Sequence, residues 1–130
     1  MEREFIKYPD TPHFKEACSG LYKNKVEEIN IHGTVKLHGT NFAIVFDTKE
    51  SGWYFQTRTR TLEYYSNFFD FQKVVGVGNR EKTNQLQAFL NSFTSLVRKD
   101  LKQDAKKLSK VVFYGELVGE EIQKGVALEN

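Results

Sequence analysis

The pattern of apolar and polar positions predicts two strands between residues 26 and 46, one of which alternates and one of which is apolar throughout. In residues 26–36, Ile29, Ile31 and Val35 fall on positions of one parity, which predicts a half-buried strand. Residues 42–46 are apolar at every position, as expected for a central strand that is buried on both faces.

Two further strands are predicted beyond a turn at residues 47–52. Residues 53–61 alternate in character and predict a strand antiparallel to the previous one. Residues 111–115 predict a second buried strand, which leads directly into Glu116. A period of two divides the side chains of the earlier strand into Trp53, Phe55, Thr57 and Thr59 on one face and Tyr54, Gln56, Arg58 and Arg60 on the other.

One helix is predicted at residues 83–101, with Thr83 as its N-cap. Residues 1–25 contain two prolines and predict an irregular or short-strand lead-in, whereas residues 62–81 are rich in aromatic residues without a period. Lysine and arginine residues after the helix predict a solvated helix end more strongly than an RNA-binding patch. Together these elements predict an α+β fold in which helices flank an antiparallel sheet.

Composition narrows the class of protein. The chain has 130 residues, of which 39% are hydrophobic and 28% charged, and this is typical of one globular domain. A net charge of +2 permits a nucleic-acid partner without arguing for one. A single cysteine excludes an internal disulfide and a cysteine-rich zinc site, and we expect a cytoplasmic protein. No apolar run approaches the roughly 20 residues of a membrane span, so we expect no membrane partner.

An unusual mixture of residues separates the first two predicted strands: Lys36-Leu37-His38-Gly39-Thr40-Asn41. Gly39 lets a phosphate or sugar approach the backbone, Asn41 offers an amide donor, and His38 can donate to an oxyanion. A deprotonated lysine is a nucleophile, so Lys36 is a candidate for nucleotidyl transfer. A solvated surface lysine is the alternative, and these neighbours weigh against it.

Three other polar residues are candidates for the same site. Glu116 follows an apolar strand, and a carboxylate buried there needs a partner. In a nucleotide site it would accept a hydrogen bond from a ribose hydroxyl. The alternatives are an ion pair with an arginine or an exposed position at the strand end. The guanidinium groups of Arg58 and Arg60 match phosphate and ribose oxygens, and an exposed edge-strand pair is the alternative.

Several motifs in this order resemble those of covalent nucleotidyltransferases. The stretch 36–42 resembles motif I of the ligases in the form typical of the phage RNA ligase 2 family, whereas most polynucleotide ligases and capping enzymes carry aspartate where His38 stands. The resemblance covers nearly the whole chain. It extends to motif Ia at residues 57–62, to motif III at residues 114–119, and to a segment common after motif III at residues 122–126.

The resemblance implies an ATP-dependent RNA ligase. Lys36 would attack the α-phosphate of ATP, with Mg²⁺ neutralising charge, to give lysyl-AMP and pyrophosphate. The AMP would then pass to an RNA 5′-phosphate, which a 3′-hydroxyl attacks. The implied nucleotide-binding residues are Lys36, Leu37, His38, Gly39, Asn41, Arg58, Arg60 and Glu116, and which of the two arginines contacts the nucleotide stays open.

The family's later motifs would follow residue 130. They supply an aromatic residue that stacks on adenine, a metal-site carboxylate and a pair of lysines. We therefore expect residues 1–130 to form one partial domain, the N-terminal part of an adenylyltransferase domain. The alternatives are a noncatalytic remnant that binds nucleotides or nucleic acid and, within the enzymes, a DNA ligase or a capping-type nucleotidyltransferase.

Overall fold

The computed structural model describes residues 2–34, 38–119 and 122, which form an α+β fold with one antiparallel sheet, and this confirms the predicted fold class. In chain order the described elements are α1 (Phe14–Lys23), β1 (Thr40–Asp47), β2 (Gly52–Thr57), β3 (Thr61–Leu62), α2 (Phe71–Val75), α3 (Arg80–Leu101), a 3₁₀ helix (Lys102–Lys107) and β4 (Lys110–Leu117).

Strand β1 lies inside the sheet, whose order is β3-β2-β1-β4 with every pairing antiparallel. Strands β2 and β4 pair with the two sides of β1, and neighbouring residues such as Val45 and Phe46 are buried on opposite faces. The prediction of a central strand buried on both faces is therefore confirmed.

The turn between β1 and β2 is organised by one carboxylate. Asp47 Oδ1 accepts hydrogen bonds from the backbone amides of Glu50 at 3.0 Å and Lys49 at 2.9 Å. The hydrogen bond from Glu50 is the main reason why the pKa of Asp47 lies below its usual value. The turn predicted at residues 47–52 is confirmed, and an aspartate that binds the backbone ahead of it is its physical cause.

One face of the sheet packs against the helices through a cluster of aromatic rings. The ring centroid of Phe55 lies 5.7 Å from that of Phe42 and 5.3 Å from that of Phe71 in α2, and both Phe55 and Phe71 are fully buried. These distances are typical of favourable aromatic pairs. The buried members of this core are Phe42, Phe55, Leu62, Phe71, Leu117 and Ile122.

The opposite face of the sheet is covered by the N-terminal segment, residues 3–11. The side-chain amide of Gln56 binds the backbone of Ile6 twice, donating to its carbonyl at 2.6 Å and accepting from its N–H at 3.2 Å. The Tyr54 hydroxyl donates to the carbonyl of Glu4 at 2.5 Å. Because Gln56 and Tyr54 are almost completely buried, these bonds supply the partners that their polar atoms need.

The strand predicted at residues 53–61 is shorter than expected, and this prediction is wrong beyond Thr57. The Thr57 hydroxyl accepts from the amides of Thr59 and Arg60, both at 3.2 Å, while the Thr57 N–H donates to the Arg60 carbonyl at 2.8 Å. These bonds close a turn, and β3 then pairs back onto β2. The predicted two-face alternation therefore applies to β2, whereas Arg58 lies in the turn.

The strand predicted at residues 26–36 is wrong for its described part, residues 26–34, which has no regular secondary structure. Ile29 and Ile31 are 49% and 78% exposed. The reason is topological: β2 and β4 already occupy both edges of β1, so the segment before β1 cannot form a hairpin with it. Val35 lies outside the described residues.

Two helices depart from the expectation. Helix α1 was not predicted, although its apolar residues recur at helical spacing and the Glu16 carboxylate accepts from the His13 N–H at 3.1 Å. Helix α3 begins at Arg80 rather than after Thr83, because the side chain of Asn79 accepts from the Lys82 amide at 3.1 Å and caps the helix. The predicted end of α3 at residue 101 is confirmed.

Candidate functional site

A polar cleft of about 380 Å³ lies where the N-terminal segment passes the start of β1 and the end of β2. It contains two of the residues predicted for the site, Asn41 and Arg58. The other wall comes from a part of the chain to which no site residue was assigned. The lining residues are Lys7, Tyr8, Pro9, Asp10, Thr11, Asn41 and Arg58.

Asn41 and Glu116 are directly opposite each other in the antiparallel pair of β1 and β4. Directly opposed residues project from the same face of a sheet, with Cβ atoms about 5 Å apart. Two of the predicted site residues, from distant parts of the sequence, are therefore neighbours. Glu116 is exposed, which agrees with the alternative of a strand-end position and removes the need for a buried partner.

Gly39 marks a close approach between the segment before β1 and the end of β4. A Cβ atom on Gly39 would lie 2.5 Å from the carbonyl oxygen of Leu117 and 3.2 Å from the side chain of Val118. Close packing is therefore one reason for a glycine at this position, and the approach of a phosphate or sugar to its backbone stays a prediction. The glycine joins the two segments that resemble motifs I and III.

The two candidate arginines are not equivalent. Arg58 and Arg60 both lie in the turn after β2 and both are exposed, but of the two only Arg58 lines the described cleft. The hydrogen bonds of the Thr57 hydroxyl close a turn there, so the side chains of residues 58 and 60 no longer follow the two-residue alternation of a strand. The prediction that both arginines share one strand face is wrong, and of the two Arg58 is the one that lines the cleft.

Two of the predicted site residues, Lys36 and Leu37, lie outside the described residues, as do residues 123–126 of the last motif. His38 is described and is exposed just before Gly39. The position of Lys36 relative to the cleft therefore stays a prediction. The described residues 38 and 39 lead directly into β1 and lie at the same end of the sheet as Asn41 and Glu116.

The contribution of the N-terminal segment was missed by sequence reasoning. The Tyr114 hydroxyl donates to the Lys7 carbonyl at 3.1 Å, and the rings of Tyr8 and Tyr114 meet edge to face at 4.5 Å. Burial raises the pKa of the Tyr114 phenol above its ordinary value, which already lies well above neutral pH. The polar residues of β2 and β4 on this face were the available signal, since buried polar side chains require a partner.

A second, larger cavity of about 760 Å³ lies against α2 and the end of β4. It is lined mainly by apolar residues such as Phe68, Val74 and Val118, and it contains none of the described site residues. Its charged lining residues, Asp70 and Lys73, form an ion pair with each other at 2.7 Å, so it is a weaker candidate for a phosphate-bearing ligand than the polar cleft.

Within residues 2–34, 38–119 and 122, the structure contains no group of three histidine, cysteine, aspartate or glutamate side chains that could hold a metal ion. The described residues therefore do not fit a Mg²⁺ site built from several protein ligands. None of the described helices combines the length and apolar character needed to cross a membrane.

An antiparallel α+β domain that gathers an amide, a guanidinium and a carboxylate at one end of its sheet fits a class of proteins that bind phosphate-bearing ligands. A comparison with protein families is more specific, because the family model described as RNA ligase matches residues 29–129. This match spans most of the chain, and the protein belongs to the RNA ligase family. The comparison with curated proteins finds no match.

Family membership bears on the site because the matched region contains most of its predicted residues. Residues 29–129 include the stretch 36–41, both candidate arginines and Glu116. The family supports a ligase, and it implies the use of ATP and RNA in general terms. The N-terminal wall of the cleft, residues 7–11, lies outside the matched region.

Proposed function

We propose that this chain is the N-terminal part of the adenylyltransferase domain of an ATP-dependent RNA ligase. The observation that carries the proposal is the pairing of β1 with β4, which brings the end of motif I and the centre of motif III together as Asn41 and Glu116. In this proposal the protein acts in the cytoplasm and joins RNA 5′-phosphate and 3′-hydroxyl ends.

The proposed first step is transfer of AMP to Lys36. The neutral amine attacks the α-phosphate, an N–P bond forms, and the bond to the pyrophosphate oxygen breaks, so that pyrophosphate leaves with the electron pair. The lysine loses a proton to the solvent or to a nearby base. Arg58 contributes a guanidinium that binds phosphate oxygens, and Asn41 and His38 contribute donors to the same region.

The later steps consume the adduct. The AMP moves from Lys36 to the 5′-phosphate of RNA, and the 3′-hydroxyl of a second end attacks that activated phosphate and releases AMP. Glu116 accepts a hydrogen bond from a ribose hydroxyl and thereby positions the nucleotide. Mg²⁺ would neutralise phosphate charge, although the described residues contain no cluster of three side chains that could hold it.

We expect the protein to gain the mass of one adenylyl group when it is incubated with ATP and Mg²⁺. The measurement is intact-protein mass spectrometry, with GTP as the matched nucleotide, which should give no adduct. A GTP adduct would favour a capping-type enzyme. RNA binding without an adduct from either nucleotide would contradict catalysis by these 130 residues and support the noncatalytic alternative.

The two arginines provide a matched pair of variants. We expect Arg58→Ala to slow adduct formation by about tenfold or more, since a hydrogen bond to a charged group contributes roughly 1.5–3 kcal/mol. The rate of adduct formation by Arg60→Ala should stay within about twofold of that of the unaltered protein, because Arg60 does not line the described cleft. Initial rates of adduct accumulation measure both, and a larger effect of Arg60→Ala would overturn the assignment.

A further inference from the structure

The N-terminal segment brings to the cleft a cation, Lys7, that is not among the nucleotide-binding residues implied by the resemblance. Lys7 lines the cleft together with Arg58 and Asn41. The side chain of Lys7 is 79% exposed, and its Nζ lies 3.5 Å from Asp10 Oδ2. That distance is the outer limit of a hydrogen bond, so a stronger acceptor can replace Asp10 at low cost.

The backbone around Lys7 is held in place by side chains of the sheet. Gln56 is buried and binds both backbone groups of Ile6, the residue before Lys7. Tyr114 donates to the carbonyl of Lys7 itself. Three hydrogen bonds thus fix the path of the chain at residues 6 and 7. Such restraint lowers the entropy that the segment would lose on ligand binding.

The charges and donors around the cleft suit a phosphate. Among the lining residues, Lys7 and Arg58 supply two positive charges and Asp10 one negative charge, while the Glu116 carboxylate lies beside Asn41 on the neighbouring strand. The Asn41 amide and the Thr11 hydroxyl line the same space and can donate to phosphate oxygens. An ammonium group beside a guanidinium combines a mobile point charge with a rigid fork of donors.

We infer that Lys7 is a phosphate-binding residue of this cleft, and that Gln56 and Tyr114 are its positioning residues. The ligand is a phosphate group carried either by ATP or by the 5′ end of RNA. The choice between these two sources rests on the proposed function, whereas the binding of a phosphate group does not.

The test compares Lys7→Met with Lys49→Met, which removes the same charge from the exposed turn after β1. That turn lies at the opposite end of the eight-residue strand β1, roughly 20 Å from the cleft end. One arm measures the rate of adduct formation against ATP concentration. The other measures the affinity for a short RNA with a 5′-phosphate and for the same RNA with a 5′-hydroxyl, by fluorescence anisotropy.

We expect Lys7→Met to weaken phosphate binding about tenfold in one of the two arms. Either the apparent KM for ATP rises about tenfold, or the RNA with a 5′-phosphate loses about tenfold in affinity, so that its preference over the 5′-hydroxyl RNA disappears. Lys49→Met should match the unaltered protein in both arms. No change for Lys7→Met in either arm, or an equal change for Lys49→Met, would overturn the inference. If the unaltered protein forms no adduct, the proposed function fails and the RNA arm alone decides the inference; an unaltered protein without phosphate preference there overturns it.

The positioning role has its own readout. Tyr114→Phe removes the hydroxyl that holds the Lys7 carbonyl but keeps the ring that contacts Tyr8. We expect the binding measured in the arm that Lys7→Met affects, either the apparent KM for ATP or the affinity for the 5′-phosphate RNA, to weaken about threefold, with little change in kcat. Because Tyr114 acts through Lys7, the double variant should lose no more than Lys7→Met alone. Fully additive losses would show that Tyr114 does not act through Lys7.

Discussion

Replacing Lys36 with alanine should abolish the gain of one adenylyl group. Alanine has no nucleophilic atom, so no N–P bond can form at this position, and the other lysines lack the motif that surrounds Lys36. The expected result is an intact mass that does not change after incubation with ATP and Mg²⁺. The prediction depends on the sequence of the stretch 36–41, since Lys36 lies outside the described residues.

Two further variants make this result specific. Lys36→Arg keeps the positive charge, but arginine stays protonated and cannot act as the nucleophile, so it should also form no adduct. Lys49→Ala removes an exposed lysine from the turn after β1 and should leave the adduct unchanged. An adduct of normal yield on Lys36→Ala would show that the nucleophile is another residue.

Phe55→Ala should lower the free energy of unfolding by about 3–5 kcal/mol. Phe55 is fully buried, and its ring packs against those of Phe42 and Phe71 between the sheet and α2. Truncation removes apolar contacts and leaves a cavity between elements that cannot close up freely. Because domains of this size are stable by only about 5–15 kcal/mol, the variant loses a large part of its stability.

Phe14→Ala is the matched control for this substitution. It removes the same ring from a position on α1 that is 84% exposed, and we expect a change of about 0.5 kcal/mol or less. Urea denaturation followed by circular dichroism measures both variants. Similar losses for the two substitutions would contradict the packing described for the helix-side core.

The strands that sequence reasoning predicted well are those whose burial follows from their own residues. Strand β1 is apolar at every central position, as expected for a strand inside a sheet that is covered on both faces. Residues 26–34 show the opposite case, because their apolar alternation is typical of a strand but no sheet edge is available beside β1. The apolar pattern of a segment shows which of its side chains could be buried. Whether the segment pairs as a strand depends on other segments that are far away in the sequence.

The candidate site shows the same division. The sequence identified Asn41, Arg58 and Glu116 as a group, and the structure places Asn41 beside each of the other two. It could not distinguish Arg58 from Arg60, because the turn depends on the hydroxyl of Thr57. Nor could it find Lys7, whose position depends on hydrogen bonds to side chains roughly 50 and 100 residues later.

Four side-chain-to-backbone hydrogen bonds attach the N-terminal segment to the sheet, and they bear on how its sequence can vary. Tyr54, Gln56 and Tyr114 all bind backbone atoms of the segment, at Glu4, Ile6 and Lys7 respectively. Since every residue except proline carries the same backbone groups, these contacts specify the course of the segment without specifying its side chains. These four hydrogen bonds therefore do not depend on which side chains the segment carries. Residues of the segment that face the cleft can change, and with them the ligand preference, while these bonds are kept.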